Sequence, residues 1–529
     1  MGIHGIEIQP SRDCVGRLLL SRSMRLSRRS FGAALGASFL SRGLHGQSGG
    51  LSPFAHGVAS GDPLADRVII WTRVTPAAPD DFQAVEWQVA SDAAMRNVLQ
   101  SGVTGTNSGY DFTVKVDVNR LEPGGTYYYQ FSYKGTQSPI GRTKTLPAGR
   151  MERARMAVVS CSNYPYGFFN AYRLIAQRGD LDAVLHLGDY IYEYADTQYG
   201  DGAPLGRVPV PNRETVSLQD YRQRFGQYRL DPDLQEAHRN HPWIVVWDDH
   251  ESTNDSWVGG AQNHQPATEG DWSQRRAVSA LAWQEWMPVR ENPWQDMSIY
   301  RSFRFGDLLD LTMLDTRLEA RVRQVAANSP EVLAPNRTLL GSAQEEWLFR
   351  RLATSRERGA AWRILGQQVM MGQLLNTDGS AFNPDQWDGY VASRNRVLGY
   401  LASERINNVV VLTGDIHTSW ANEIAVNPFA AGTALATRQA VEFVTPAVTS
   451  PGIDDAAQAA GFAAQIRATH PHVQFVELFR RGYLVLDVDR MRAQAQFYHV
   501  RTIRERQAQE DAAGTYFVAS GEARLQAGR

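Results

Sequence analysis

The chain has 529 residues, of which 43% are hydrophobic, 21% charged and 10% aromatic, with two cysteines and a formal charge of -2. That length is about three domains at ~150 residues each, and the fractions exclude intrinsic disorder, a collagen-like repeat and a disulfide scaffold. The near-neutral balance argues against nucleic-acid binding by bulk charge, and no stretch reaches the ~18 consecutive apolar residues of an integral membrane segment.

Residues 1–48 carry seven arginines against Glu7 and Asp13, a net +5 that leaves the remainder near -7. Within them Ser27-Arg28-Arg29-Ser30-Phe31 precedes a weakly apolar run from Gly32 to Leu40, the pattern of a twin-arginine export signal. The segment predicts passage through the twin-arginine translocation machinery to a periplasmic or extracellular destination, with Met24 as an alternative start. Cys14 belongs to this segment, so Cys161 is the single cysteine of the exported protein. With no partner for an internal disulfide, it is either a buried small hydrophobe or a thiol with a chemical task.

From 52 to 146 the pattern has period two. Val85, Trp87 and Val89 alternate with Glu86 and Gln88; Val114, Val116 and Val118 alternate with Lys115 and Asp117; Tyr127, Tyr129, Phe131 and Tyr133 follow the turn Pro123-Gly124-Gly125. Half-buried strands separated by turn residues predict a small antiparallel β-sandwich. The stretch from Leu121 to Tyr128 has the form of a fibronectin-type tyrosine corner. Residues 138–150, with two prolines and two glycines, read as a linker.

From 151 the texture changes to short apolar runs, each ending in polar residues. Met156–Ser160 precedes Cys161, Ala183–Leu187 precedes Gly188-Asp189, and Trp243–Trp247 precedes Asp248-Asp249-His250. Leu311–Leu314 precedes Asp315-Thr316-Arg317, and Val409–Leu412 precedes Thr413-Gly414-Asp415-Ile416-His417. Buried strands with helices between them predict an α/β layered domain over 151–505, with ligands gathered along one edge of the sheet. A hairpin closes it near 483–499, and 506–529 reads as a C-terminal tail.

One Asp or His after a strand is an ordinary turn or cap residue. Here they accumulate: Cys161, Asp189, Tyr192, Asp249, His250, Asp415 and His417 all fall at or just after apolar runs. Bringing so many acidic and imidazole groups to one edge is costly through like-charge repulsion, and a bound metal pair removes that cost. Asp415 and His417 share a face if the segment is extended, since i and i+2 point the same way.

Together these strings resemble the metallophosphoesterase superfamily and, more closely, its PhoD-type alkaline phosphatase and phosphodiesterase family. They are His56-Gly57-Val58-Ala59-Ser60-Gly61-Asp62-Pro63, Ser160-Cys161-Ser162, Leu187-Gly188-Asp189-Tyr190-Ile191-Tyr192-Glu193, Trp247-Asp248-Asp249-His250-Glu251, Leu314-Asp315-Thr316-Arg317 and Leu412-Thr413-Gly414-Asp415-Ile416-His417. The resemblance covers about residue 53 to about 500. It implies a layered α-β-β-α catalytic domain preceded by a fibronectin-like sandwich.

It also implies roles. Cys161, Tyr192 and His417 would bind a ferric ion; Asp189 would bridge to a calcium ion that Asp249 and Asp415 help to hold. Asn254 and Gln368 are further candidates for calcium. His250 would donate a proton to the leaving oxygen or contact the phosphoryl oxygens, and a metal-bridging hydroxide would attack phosphorus. Arg317 would either fasten Asp315 or meet the substrate phosphate. The implied activity is hydrolysis of small-molecule or polymeric phosphomonoesters, phosphodiesters or both. A phospholipase D-like or teichoic-acid phosphodiesterase is the alternative on the same scaffold, and a non-catalytic surface-binding protein the alternative of another class.

Overall fold

The apolar runs that end in polar residues become the parallel strands of two β-sheets. In a computed structural model of the chain, residues 52–77, 82–291, 298–429 and 438–528 are described. The arginine-rich segment 1–48, with the expected export signal and Cys14, lies outside them.

The larger sheet has ten strands in the spatial order Leu525–Ala527, Glu510–Ala519, Arg492–Val500, Gly482–Asp489, Arg153–Val159, Ala183–His186, Pro242–Val245, Val58–Gly61, Arg67–Arg73 and Thr113–Asn119. Its four central strands, from Arg153–Val159 to Val58–Gly61, run parallel. The second sheet has seven strands in the order Arg301–Phe305, Leu309–Met313, Trp362–Gly366, Val409–Thr413, Arg438–Val444, Ser419–Ala425 and Val473–Glu477. The run from Leu309–Met313 to Arg438–Val444 is parallel.

Strand periodicity explains the layering. In Val409–Thr413, Val410 and Leu412 join a core shared with Leu185 and Val245 of the larger sheet. Val409 and Val411 face a second core with Leu348, Leu352, Val397 and Leu398 of helices Gly341–Glu357 and Val391–Ser403. Burial on both faces is why these strands read as unbroken apolar runs. Helices Asn170–Ala176, Leu218–Arg229, Pro232–Asn240 and Trp272–Trp286 add Tyr172, Phe225, Leu234 and Trp283 to the first core. Their starts are written locally: Ser217 and Asp220 form a capping box, and Asp231 caps a helix that opens on Pro232. The architecture is the expected α/β one, helix–sheet–sheet–helix with an all-β sandwich before it.

In the sandwich, Val85, Val89, Tyr129 and Phe131 pack against Val58, Val68, Ile70, Val114 and Val118. The Tyr127 hydroxyl donates to the Glu122 carbonyl at 2.9 Å, forming the tyrosine corner. Its second layer is not a separate sheet. Val58–Gly61 pairs in parallel with Pro242–Val245 (Ser60 with Pro242, Gly61 with Trp243), so one layer continues the ten-stranded sheet. Alternation along a strand gives its faces but not its neighbour, which is why the sequence shows a boundary near 146–151 and not this pairing.

The segment 506–529 also differs from a tail, since Glu510–Ala519 and Leu525–Ala527 extend the opposite edge of that sheet. Their mixed Gly, Ala and charged composition hides them, because only Val518 and Leu525 are well buried. Among the described residues, no helix is long and apolar enough to cross a membrane.

Candidate metal centre

Five parallel strands deliver the polar cluster. Arg153–Val159 leads into Cys161, Ala183–His186 into Asp189, and Pro242–Val245 into Asp248, Asp249 and His250 of the larger sheet. Leu309–Met313 leads into Arg317 and Val409–Thr413 into Asp415 and His417 of the smaller. The loops lock to one another through their backbones: Cys161 N–H donates to the Gly188 carbonyl at 3.1 Å and Ser162 N–H to that of Asp189 at 2.8 Å.

Cys161, Asp189, Asp415 and His417 all have left-handed backbones, with φ of 62°, 56°, 62° and 62°. Such residues cost on the order of 1–3 kcal/mol each and collect at functional sites. Gly188, at φ 106°, has no alternative: a Cβ there would lie 2.5 Å from the Asp248 nitrogen.

Three sets of side chains place their ligand atoms within 4.8 Å of one another: Cys161, Asp189 and His417; Asp189, Asp249 and His250; and Asp248, Asp249 and Asp415. Tyr192 joins the first, its hydroxyl donating to Asp189 Oδ2 at 2.8 Å and lying 3.1 Å from His417 Nε2. His417 Nδ1 meets the Pro451 carbonyl at 2.7 Å, which turns Nε2 toward the cluster. Ser450, unmarked in the sequence, donates to the Tyr192 oxygen at 2.6 Å. Cys161, Asp189, Tyr192, Asp249, His250, Asp415 and His417 are therefore brought to one place, and Asp248 is added.

The electrostatics fit a site for cations. Burial, and then Asp189, push the Cys161 thiol well above its ordinary pKa; burial and Asp189 do the same to Tyr192. Burial raises Asp415 to about 6 despite the neighbouring Arg317. Asp249 shares that burial penalty, but Arg317 and His250 outweigh it and hold its carboxyl at about 2. Asp189 Oδ1 and Asp248 Oδ2 are buried with no hydrogen-bond partner. An orphaned carboxylate oxygen among further carboxylates fits a bound metal, because leaving it unpaired is otherwise costly. A thiol, a phenol and an imidazole on one side of Asp189, and carboxylates on the other, fit two cations of different hardness.

Arg317 is fully buried and supplies the main counter-charge. Its guanidinium bonds to Asp248, to Asp385 at 2.7 Å and to Asp415 at 2.5 Å, with Asp249 at 3.7 Å. Asp315 instead accepts the backbone N–H groups of Arg317 and Leu318 and the Trp247 Nε1–H. The expectation that the Arg317 side chain fastens Asp315 thus gives way to a clamp across both sheets. Asp385 sits in an irregular stretch with no periodicity to mark it.

His250 has a partner the sequence did not single out. Its Nδ1 lies 2.7 Å from Glu193 Oε2. Glu193 is held in turn by Thr253 Oγ1–H, Asn254 N–H and Asn263 Nδ2–H. Burial works against a charged His250, but Glu193, Asp189 and Asp249 prevail and hold its pKa well above the ordinary value.

Gln368 is not free to ligate: its Oε1 accepts from Thr316 N–H and Oγ1–H, and its Nε2 donates to the carbonyls of Trp247 and Leu314. Asn254 turns its side chain to Gln262 at 3.0 Å. His186 bonds Tyr172 in the core, and His264 pairs with Glu269, both apart from the ligand sets. Tyr199, from an irregular loop, stacks on Tyr192 and His250 at centroid distances of 5.7 and 5.8 Å and walls the centre.

Comparison with known proteins bears on this geometry. Residues 156–497 match the PhoD-like phosphatase family and residues 41–147 the N-terminal domain of PhoD-like phosphatases. The chain is 39% identical over 453 residues to alkaline phosphatase D of Bacillus subtilis (strain 168), covering 82% of this chain and 75% of that protein. A solved structure described as the structure of PhoD superposes with a TM-score of 0.82 at 35% identity, over 90% of this chain and 92% of that one.

Proposed function

The chain belongs to the PhoD-like phosphatase family and is a hydrolase of phosphoester bonds, and we propose that it is exported and acts on phosphomonoesters, phosphodiesters or both with two cations at its strand ends. Cys161, Tyr192 and His417 would hold a ferric ion, Asp249 and Asp415 would hold calcium, and Asp189 would serve both. A thiolate and a phenolate favour the first metal and carboxylate oxygens the second. One observation carries this reading: Asp189 and Asp249 each belong to two ligand sets, and Asp189 keeps one buried oxygen without a partner.

Bound there, two cations would supply Lewis acidity, lowering the pKa of water and drawing charge from the phosphoryl oxygens. The chain does the rest. Arg317 holds Asp248 and Asp415 in register across the two sheets and keeps Asp249 ionised. Glu193 fixes the ring of His250, whose Nε2 hands a proton to the departing oxygen. Tyr199 and Tyr194 shield that proton path from bulk water, their rings 5.8 and 5.6 Å from that of His250. Export is supported by the twin-arginine segment at residues 27–31.

Cys161→Ala tests the assignment. Iron per protein, measured by elemental analysis, and phosphoesterase activity should both fall while the melting temperature is kept. Undiminished iron and activity would sink it. Chelation of calcium should abolish turnover of p-nitrophenyl phosphate and bis-(p-nitrophenyl) phosphate, with calcium restoring it; restoration by zinc alone contradicts the second site.

A further inference from the structure

The metal centre accounts for the phosphoryl group and leaves the rest of the substrate without a place. Beside it lies a cavity of about 870 Å³, within the ~300–1,000 Å³ usual for ligand sites. Ile416 and Thr418, either side of His417, line it, and so does Pro451, whose carbonyl meets His417 Nδ1 at 2.7 Å. Centre and cavity therefore share one wall. More wall comes from helix Ala456–Thr469, which buries only Ala459 and Ala463 and presents Phe462 and Ile466 to the cavity. These two stand at i and i+4, on one helix face.

The lining has the chemistry of a hydrocarbon site. No described Asp, Glu, Lys or Arg takes part in it. Several of its polar side chains are already engaged. Thr418 Oγ1 accepts from Trp420 Nε1–H at 2.7 Å, His470 Nε2 from Leu375 N–H at 3.1 Å, and Asn376 Nδ2 donates to Ser380 and Ala381. Phe462 and Phe382, both on the lining, are 46% and 51% exposed. Large apolar side chains left in water around a concavity mark a binding surface.

We propose that this cavity takes an unbranched alkyl arm carried on the phosphoester, so that the enzyme prefers phosphoesters of long-chain alcohols. The volume far exceeds one aromatic ring, and Ile416, Thr418 and Pro451 put the cavity next to His417. The proposal rests on the phosphoesterase reading and adds the substrate class.

The test uses the metal-loaded full chain. Phosphate release is followed across n-alkyl phosphates from ethyl to octyl, and binding of the matching n-alkyl phosphonates by calorimetry. Both kcat/KM and affinity should rise about two- to fourfold per added methylene. The pair Phe462→Asp and Ile466→Asp should flatten both series, and Phe462→Leu should keep them; thermal melting checks that each variant is folded. Equal handling of ethyl and octyl compounds by the native enzyme overturns the proposal, as does a series that survives in the Asp variant. Tighter binding of phenyl than of octyl phosphonate overturns the alkyl assignment. If no ester is hydrolysed, the phosphoesterase reading falls, and the phosphonate series still decides what the cavity binds.

Discussion

The core of the N-terminal sandwich and the candidate metal centre are both largely buried and obey opposite rules. Tyr129 and Phe131 are fully buried, and so are Cys161 and Asp248. In the sandwich, burial removes apolar surface from water, and each strand alternates accordingly. At the centre, burial collects carboxylates whose mutual repulsion is offset chiefly by Arg317 and His250, on backbones held left-handed. One region's sequence is set by packing. The other's is set by charge, and it keeps unfavourable local choices that only function explains.

The sharpest way to break this comparison is Asp189→Asn. Losing the carboxylate common to two ligand sets should lower kcat/KM by about four orders of magnitude. The chelated variant should melt no lower than the chelated native chain, because a like charge has been removed; a much lower melting point would mean that Asp189 is chiefly structural. Phe131→Ala is the converse. It should cost about 3–5 kcal/mol of stability in denaturant titration and leave kcat unchanged at temperatures where the variant is folded.

The smallest effect asks whether excluding charge is a property of the whole core. His241, its Nε2 3.0 Å from the Ile175 carbonyl, has its pKa lowered by burial to about 4 from 6.5. Between those values the unfolded chain holds a proton that the folded chain lacks, so stability falls as pH drops from 6.5 toward 4. His241→Gln should lessen that fall by up to about 3 kcal/mol, read from melts across the window, and an unchanged acid slope would contradict it.

Most of the centre could be read in the sequence because strand geometry does the gathering. Cys161, Asp189, Asp249, Asp415 and His417 each follow an apolar run, and parallel strands put those ends on one edge. What stayed hidden lacked such a marker. Asp248 reads as part of a pair with Asp249, and nothing local says that it faces Arg317. Asp385 and Tyr199 come from irregular segments whose course is fixed by packing alone. Glu193 looks like a residue that merely follows Tyr192 until its distance to His250 is known. The sandwich strands were plain from alternation, but their membership of the larger sheet was not, because partner choice is a long-range property.

That sheet has a consequence for how the molecule is made. Its outermost strands, Thr113–Asn119 and Leu525–Ala527, lie some 400 residues apart in the chain, and Val58–Gly61 must wait for Pro242–Val245 some 180 residues later. A nascent chain leaving the ribosome N-terminus first cannot complete this sheet until Leu525–Ala527 has been made. Until Pro242–Val245 emerges, Val58–Gly61 keeps an unpaired backbone edge, the state most open to wrong pairing. Neither the N-terminal sandwich nor the C-terminal strands then form an independent module, since each shares its backbone pairing with the central sheet.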